Sequence, residues 1–251
     1  MNYLLTVAYV GTNYCGWQVQ PNAVSVQQTL QDAVEKVFGG RFPLTGCSRT
    51  DSGVHAKGFL CMITTDGSES SIPLSNVPTA LNSLLPDDIS VLSCEEADDD
   101  FHPRYGTFGK VYSYHFFDRR ERDPFLAGRV WHIRGHLDEK LMDEAAKLFI
   151  GEHDFSAFCA SGTSDDDHVR VIYEAGVIRI GDEVVFTVSG SGFLYNMVRI
   201  MAGTLSEIGT HRREASSIAA ALEKGERSLA GITAPAHALY LERVIRERPE
   251  K

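Results

Sequence analysis

The chain has 251 residues, of which 43% are hydrophobic and 23% charged, and its formal net charge is −10. That length buries a substantial core without disulfides or metals, and the composition excludes a disordered or fibrous protein. No apolar run approaches the roughly 20 residues that a membrane helix needs. The start lacks the basic stretch of a secretory leader, and five scattered cysteines without a C-x-x-C pair predict free thiols in a reducing cytoplasm.

Residues 3–10, rich in β-branched and aromatic side chains, predict a strand that stops at Gly11. A glycine-bearing loop follows to Gln20. Ser25 with Gln28 three residues on forms a capping box, and Val26, Leu30, Ala33, Val34 and Val37 make the apolar stripe of a helix that Gly39-Gly40 ends. Residues 56–65 predict a buried strand, 75–85 a short helix stopped by Pro86, and 89–94 another strand. The acidic run at 94–100 is read as a solvated break between two halves.

Strands are predicted over 107–117 and near 129–133, then an amphipathic helix over 139–150 with Leu141, Ala145, Leu148 and Phe149 inward. Segments 169–173, 177–180 and 183–188 read as a hairpin series. Helices over about 194–208 and 215–222 and a strand over 239–245 complete the chain. The expected class is α+β: two mixed α/β halves, residues 1–104 and 105–251, sharing one largely antiparallel sheet with a cleft between them.

Acidity argues against nucleic acid at first sight, but the charge is unevenly spread. Residues 1–100 carry only Lys36, Arg41, Arg49 and Lys57 against twelve acids. The densest basic group is Lys110, Arg119, Arg120, Arg122, Arg129 and Arg134. With Asp118, Glu121 and Asp123 interleaved, it fits a solvated mixed-charge face and an RNA-contacting surface equally well.

The most unusual stretch is Gly46-Cys47-Ser48-Arg49-Thr50-Asp51-Ser52-Gly53-Val54-His55-Ala56, which puts a carboxylate, a guanidinium and an imidazole on one loop between apolar segments. By composition alone Arg49 could pair with Asp51 across a turn closed by Gly53. Asp51-Ser52-Gly53 also matches an aspartic protease lobe, but that chemistry needs two carboxylates and the chain has no second D-[ST]-G. A phosphate-binding G-x-x-x-x-G-K-[ST] loop is missing as well, and the run Asp165-Asp166-Asp167-His168 reads as an acidic loop rather than a cation site.

The stretch Arg49-Thr50-Asp51-Ser52-Gly53-Val54-His55-Ala56 closely resembles the R-T-D-x-G-V-H-A motif of the tRNA pseudouridine synthase A family. Five further blocks resemble that family in the same order: Tyr14-Cys15-Gly16-Trp17-Gln18-Val19-Gln20, Phe101-His102-Pro103-Arg104, Lys110-Val111-Tyr112-Ser113-Tyr114, Gly192-Phe193-Leu194-Tyr195-Asn196-Met197-Val198-Arg199-Ile200, and Ala234-Pro235-Ala236-His237-Ala238-Leu239-Tyr240-Leu241. Departures are small: Pro103 stands where alanine is usual, and Ile200 where some members carry asparagine.

The resemblance implies the pseudouridine synthase fold with an RNA-binding cleft. It also implies cofactor-free, metal-free conversion of uridine to pseudouridine in the anticodon stem-loop of tRNA, at positions 38, 39 and 40, by a cytoplasmic homodimer without membrane attachment. Carried over residue by residue, Asp51 is the nucleophile, Tyr112 lies against the target uracil, and Arg199 pairs with Asp51. Leu239 walls the pocket, although ordinary packing fits the same pattern, and Arg49, Arg104 and Gln18 are assigned to RNA contact, with plain surface roles as the alternative, above all for Gln18. His55 braces the loop, and Tyr114, on the same strand face as Tyr112, is left to the core. The chief rival is a non-catalytic RNA-binding module of the same fold, in which Asp51 could be replaced without loss.

Overall fold

A computed structural model of the protein describes residues 2–65, 72–162 and 166–248. The chain divides into two compact units. The first joins Met1–Phe108 to Leu241–Lys251, and the second is Gly109–Tyr240.

In the first unit, β1 (Asn2–Tyr9) pairs antiparallel with both β3 (His55–Ile63) and β4 (Ile89–Ala97), and the short β2 (Leu44–Gly46) pairs with β3. Residues 241–245 of β10 (Leu239–Ile245) lie on the other side of β3, giving the order β4-β1-β3-β10. The sequence reading ends the first half at 104 and leaves this last strand with the second. Contacts of this strand and the residue after it accompany the observed grouping: Glu242 forms a 2.8 Å ion pair with Lys57, Arg246 pairs with Glu95, and the Phe108 amide donates to Ile245 O.

Helix α1 (Val26–Phe38) forms where the sequence places it. The Ser25 hydroxyl accepts the Gln28 amide at 3.2 Å, and Gly39 leaves the helix at φ +76°, a conformation that glycine adopts without a Cβ penalty. The Gln28 side chain goes to Asp32 instead of returning to the cap, so half of the expected box is present. Helix α2 (Val77–Asn82) covers only the middle of the expected 75–85. Strand β4 runs on to Ala97, into the acidic run read as a break, because Glu95 and Glu96 point outward while their backbones pair with Leu4 and Tyr3.

In the second unit β5 (Gly109–Phe117), β9 (Glu183–Gly190), β8 (Val169–Ile180) and β7 (Gly151–Asp154) lie side by side, each pair antiparallel. The two-residue β6 (Trp131–His132) pairs parallel with β5. Helices α3 (Glu139–Ala146), α4 (Met197–Gly209) and α5 (Ser216–Lys224) complete it. Segments 169–173 and 177–180, read as separate, are one strand. Gly176 continues it at a point where the Asp143 carboxylate lies 3.3 Å from the position of a Cβ, and that carboxylate accepts the Val177 amide.

Each unit has its own apolar core: Leu5, Val7, Leu30 and Phe59 are fully buried in the first, and Tyr114, Phe186, Met201 and Leu205 in the second. The architecture is mixed α/β with mostly antiparallel sheet, as the sequence predicts. Among the described residues no helix is long and apolar enough to cross a membrane. Asp165, part of the acidic run singled out above, lies outside the described residues.

Candidate active site

Asp51 sits, half-buried, on a turn between β2 and β3. Val54 N–H donates to Asp51 O at 3.1 Å, and Gly53 closes the turn at φ +81°. The loop is held chiefly by a second loop, residues 11–20. Trp17 N–H donates to Thr50 O at 3.2 Å, and Gly53 N–H and Ser52 Oγ both reach Tyr14 O at 3.3 Å. The two are packed so closely that a Cβ on Gly16 would meet Thr50 O at 2.5 Å, and one on Gly11 would meet Val54 O at 2.0 Å.

Tyr14 is the pivot of this interlock. Its carbonyl holds the Asp51 turn while its hydroxyl donates to Asp88 Oδ1 at 2.5 Å. Burial of the ring, reinforced by the hydrogen bond and charge of Asp88, pushes the Tyr14 hydroxyl well above its ordinary pKa, so it remains a donor. Beneath the loop, Trp17 stacks on Phe59 with centroids 4.1 Å apart, and Tyr9 lies against both. The Tyr9 hydroxyl also meets Thr50 Oγ1 at 2.7 Å.

His55, 1% exposed, accepts the Gly11 amide on Nδ1 at 3.0 Å. A nitrogen that accepts carries no proton, so the neutral ring is protonated at Nε2. His55 thereby ties the start of β3 to Gly11. Arg49 and Gln18 are exposed on the same pair of loops. Arg104 is exposed at the far end of the unit's sequence, with its guanidinium 5.6 Å from the ring centroid of Tyr105.

In the second unit, Tyr112 lies on β5 opposite Val188, 7% exposed, with its ring edge-on to Phe193 at 5.1 Å. Tyr114 is fully buried and donates to Pro235 O at 2.8 Å; burial pushes its hydroxyl pKa up, and the nearby Arg199 charge opposes this only in part. Arg199 is the third residue of α4. Its Nε donates to Ala234 O at 2.8 Å and its Nη1 to Asn196 Oδ1, while the Ala234 amide donates back to Arg199 O at 3.1 Å. Leu239, 6% exposed, opens β10 directly after this segment.

The blocks separated in sequence are thus coupled within each unit. The Tyr14–Gln20 block clamps the Asp51 block. The Tyr112, Arg199 and Ala234 blocks are tied by Tyr114, Arg199 and the carbonyls of Ala234 and Pro235. Sequence reasoning singled out Asp51, Tyr112 and Arg199 but not Tyr14, Thr50 or Asn196, which hold the loops and helix that carry them. Gly16 was the available signal, since a glycine in an aromatic loop marks a close backbone approach.

A family model described as tRNA pseudouridine synthase matches residues 5–106 and 145–245. Proteins named tRNA pseudouridine synthase A from Thermoanaerobacter sp. (strain X514) and Clostridium kluyveri are 43% and 44% identical to the chain over 244 residues. The match covers 97% of this chain and 99% and 98% of those relatives. Among solved structures, a chain of the archaeal box H/ACA sRNP Nop10-Cbf5 complex is a faint likeness, with TM-score 0.36 and 13% identity over 96% of this chain and 48% of that one.

Proposed function

The chain belongs to the tRNA pseudouridine synthase family, and from that premise we propose that Asp51 is the nucleophile with which it isomerises uridine in the anticodon stem-loop of tRNA. The carboxylate attacks C1′ of the ribose as the bond from C1′ to N1 of uracil breaks. The freed base turns, C5 bonds to C1′, the carboxylate is released, the C5 proton leaves to solvent, and N1 takes up a proton in its place. Substrate and product are isomers, so neither an oxidant nor a group donor enters the balance, and no cofactor is needed.

The observation that carries the reading is the mounting of Asp51. A carboxylate that must meet one sugar carbon gains from a rigid seat, and this one stands on a turn fixed from a second loop by three hydrogen bonds over a stacked Trp17–Phe59 pair. Tyr112 supplies a ring for the everted uracil, whose departure from the stack costs a few kcal/mol. Leu239 walls the base. The family resemblance assigns Arg199 as the cationic partner of the nucleophile. Arg49, Arg104 and Gln18, all exposed, contact RNA. Positions 38, 39 and 40, the cytoplasm and a homodimer belong to the same reading.

The test is tritium release from tRNA labelled at C5 of uridine. The wild type should release tritium from those positions, and Asp51→Asn should lose more than about 10³-fold while still binding tRNA. An active Asp51→Asn overturns the assignment of the nucleophile, and an inactive wild type that still binds RNA favours the binding module.

A further inference from the structure

Between β5 and β6 the chain makes an excursion, residues 118–130, whose two feet are adjacent because Phe116 and Phe117 pair with Trp131 and His132. Both feet are pinned. Arg179 holds Asp118 with two hydrogen bonds of 2.8 Å, His132 Nε2–H donates to Arg119 O at 2.7 Å, and the Tyr240 hydroxyl donates to Arg129 O at 2.8 Å. The tip is a built turn. Asp123 accepts the Phe125 amide on its side chain at 2.8 Å and the Leu126 amide on its carbonyl at 3.2 Å, and Pro124 fixes the first position.

What this turn presents is Phe125, 93% exposed, more than any other large apolar side chain described. Around it in sequence stand Arg119, Arg120 and Arg122, all exposed. Two surface ion pairs involve these arginines: Glu121 with Arg120 at 3.7 Å, where both side chains are more than 80% exposed, and Asp182 with Arg119 at 2.7 Å, where both are about half-exposed. Such pairs exchange readily for phosphate. Phe125 projects from a turn flanked by Pro124 and Leu126, with exposed arginines three to six residues before it, and an exposed ring beside cations suits the face of an unpaired base.

We propose that residues 118–130 form an RNA-contact surface in which Phe125 stacks on an unpaired nucleobase of the substrate tRNA while Arg120 and Arg122 hold the adjoining phosphates. This rests on the family reading that tRNA is the substrate, and it adds a contact that none of the six sequence blocks contains. It also gives an acidic chain a concentrated site for neutralising phosphate, since only four of its basic residues lie in the first hundred.

Filter binding of tRNA across a salt series tests it. Phe125→Ala should weaken binding by about 5- to 100-fold, and Phe125→Trp should restore it and lose fluorescence when tRNA is added. Arg120→Ala and Arg122→Ala should each lower the slope of log K against log salt by about one. Wild-type affinity in Phe125→Ala together with unchanged slopes in both arginine variants overturns the loop assignment while tritium release by the wild type leaves the parent reading standing. A wild type that neither binds nor modifies tRNA defeats both. Weakened self-association of Phe125→Ala at wild-type tRNA affinity identifies a protein contact instead and also overturns the proposal.

Discussion

Gly16→Ala tests whether the interlock of the two loops sets the rate. Gly16 lies at φ +83°, where an L side chain costs about 1–2 kcal/mol. A Cβ there stands 2.5 Å from Thr50 O and 3.2 Å from Asp51 C, and both are backbone atoms that no rotamer change moves aside. To regain ordinary contact, Thr50 and Asp51 must retreat by roughly 1 Å, a displacement that costs on the order of 100-fold in rate, or about 2.7 kcal/mol in barrier. The assay is single-turnover tritium release with enzyme in excess, run well below the variant's melting midpoint. The control is Gly39→Ala, which has nearly the same φ of +76° but nothing within 4 Å of the added Cβ. It should lose stability without losing rate. A folded Gly16→Ala that turns over within about threefold of wild type refutes the claim that the second loop positions Asp51.

Asp118 is 4% exposed, and although burial alone would raise its pKa, hydrogen bonds from Arg179 and Leu137 hold its carboxyl below the usual range. Arg179 keeps Glu139 and the Leu137 carbonyl when this partner is lost, so Asp118→Asn should cost about 1–3 kcal/mol at neutral pH. A depressed carboxylate stabilises the fold above its unfolded pKa and loses that contribution as pH falls through the folded value, so the gap to wild type in urea titrations should be flat above about pH 5 and shrink below about pH 4. Gly203→Ala lies inside α4, where helix propensity alone favours alanine by about 1 kcal/mol. Its Cβ would stand 1.8 Å from Ile232 O, so urea titration should show a net loss of about 1–3 kcal/mol, and a gain would contradict the packing described.

Elements with local punctuation were legible in the sequence. Ser25 and Gly39 bracket α1 because caps act within a few residues, and β10 follows the expected 239–245. The short β2 and β7, three and four residues long, were not legible, since neither is long enough to show alternation. The run of acids ending β4 misled because charge reports exposure, and an edge strand is exposed on its outer face and still paired through its backbone. At the site, sequence shows which groups have reactive chemistry. It does not show that Tyr14 O holds Gly53, or that Ala234 O holds Arg199, because those partners are 39 and 35 residues apart and backbone carbonyls carry no signature.

The second unit is an uninterrupted stretch of chain, whereas the first is finished only by residues 241–251. During synthesis the inserted unit can fold as soon as it clears the ribosome, but β3, which begins four residues after Asp51, waits for its last neighbour while the whole of Gly109–Tyr240 is made. At cellular elongation rates that delay is on the order of ten seconds. Through that interval the part of β3 before its pairing with β2 carries an open edge, and the nascent protein is vulnerable to mispairing with other chains at a strand close to its own nucleophile.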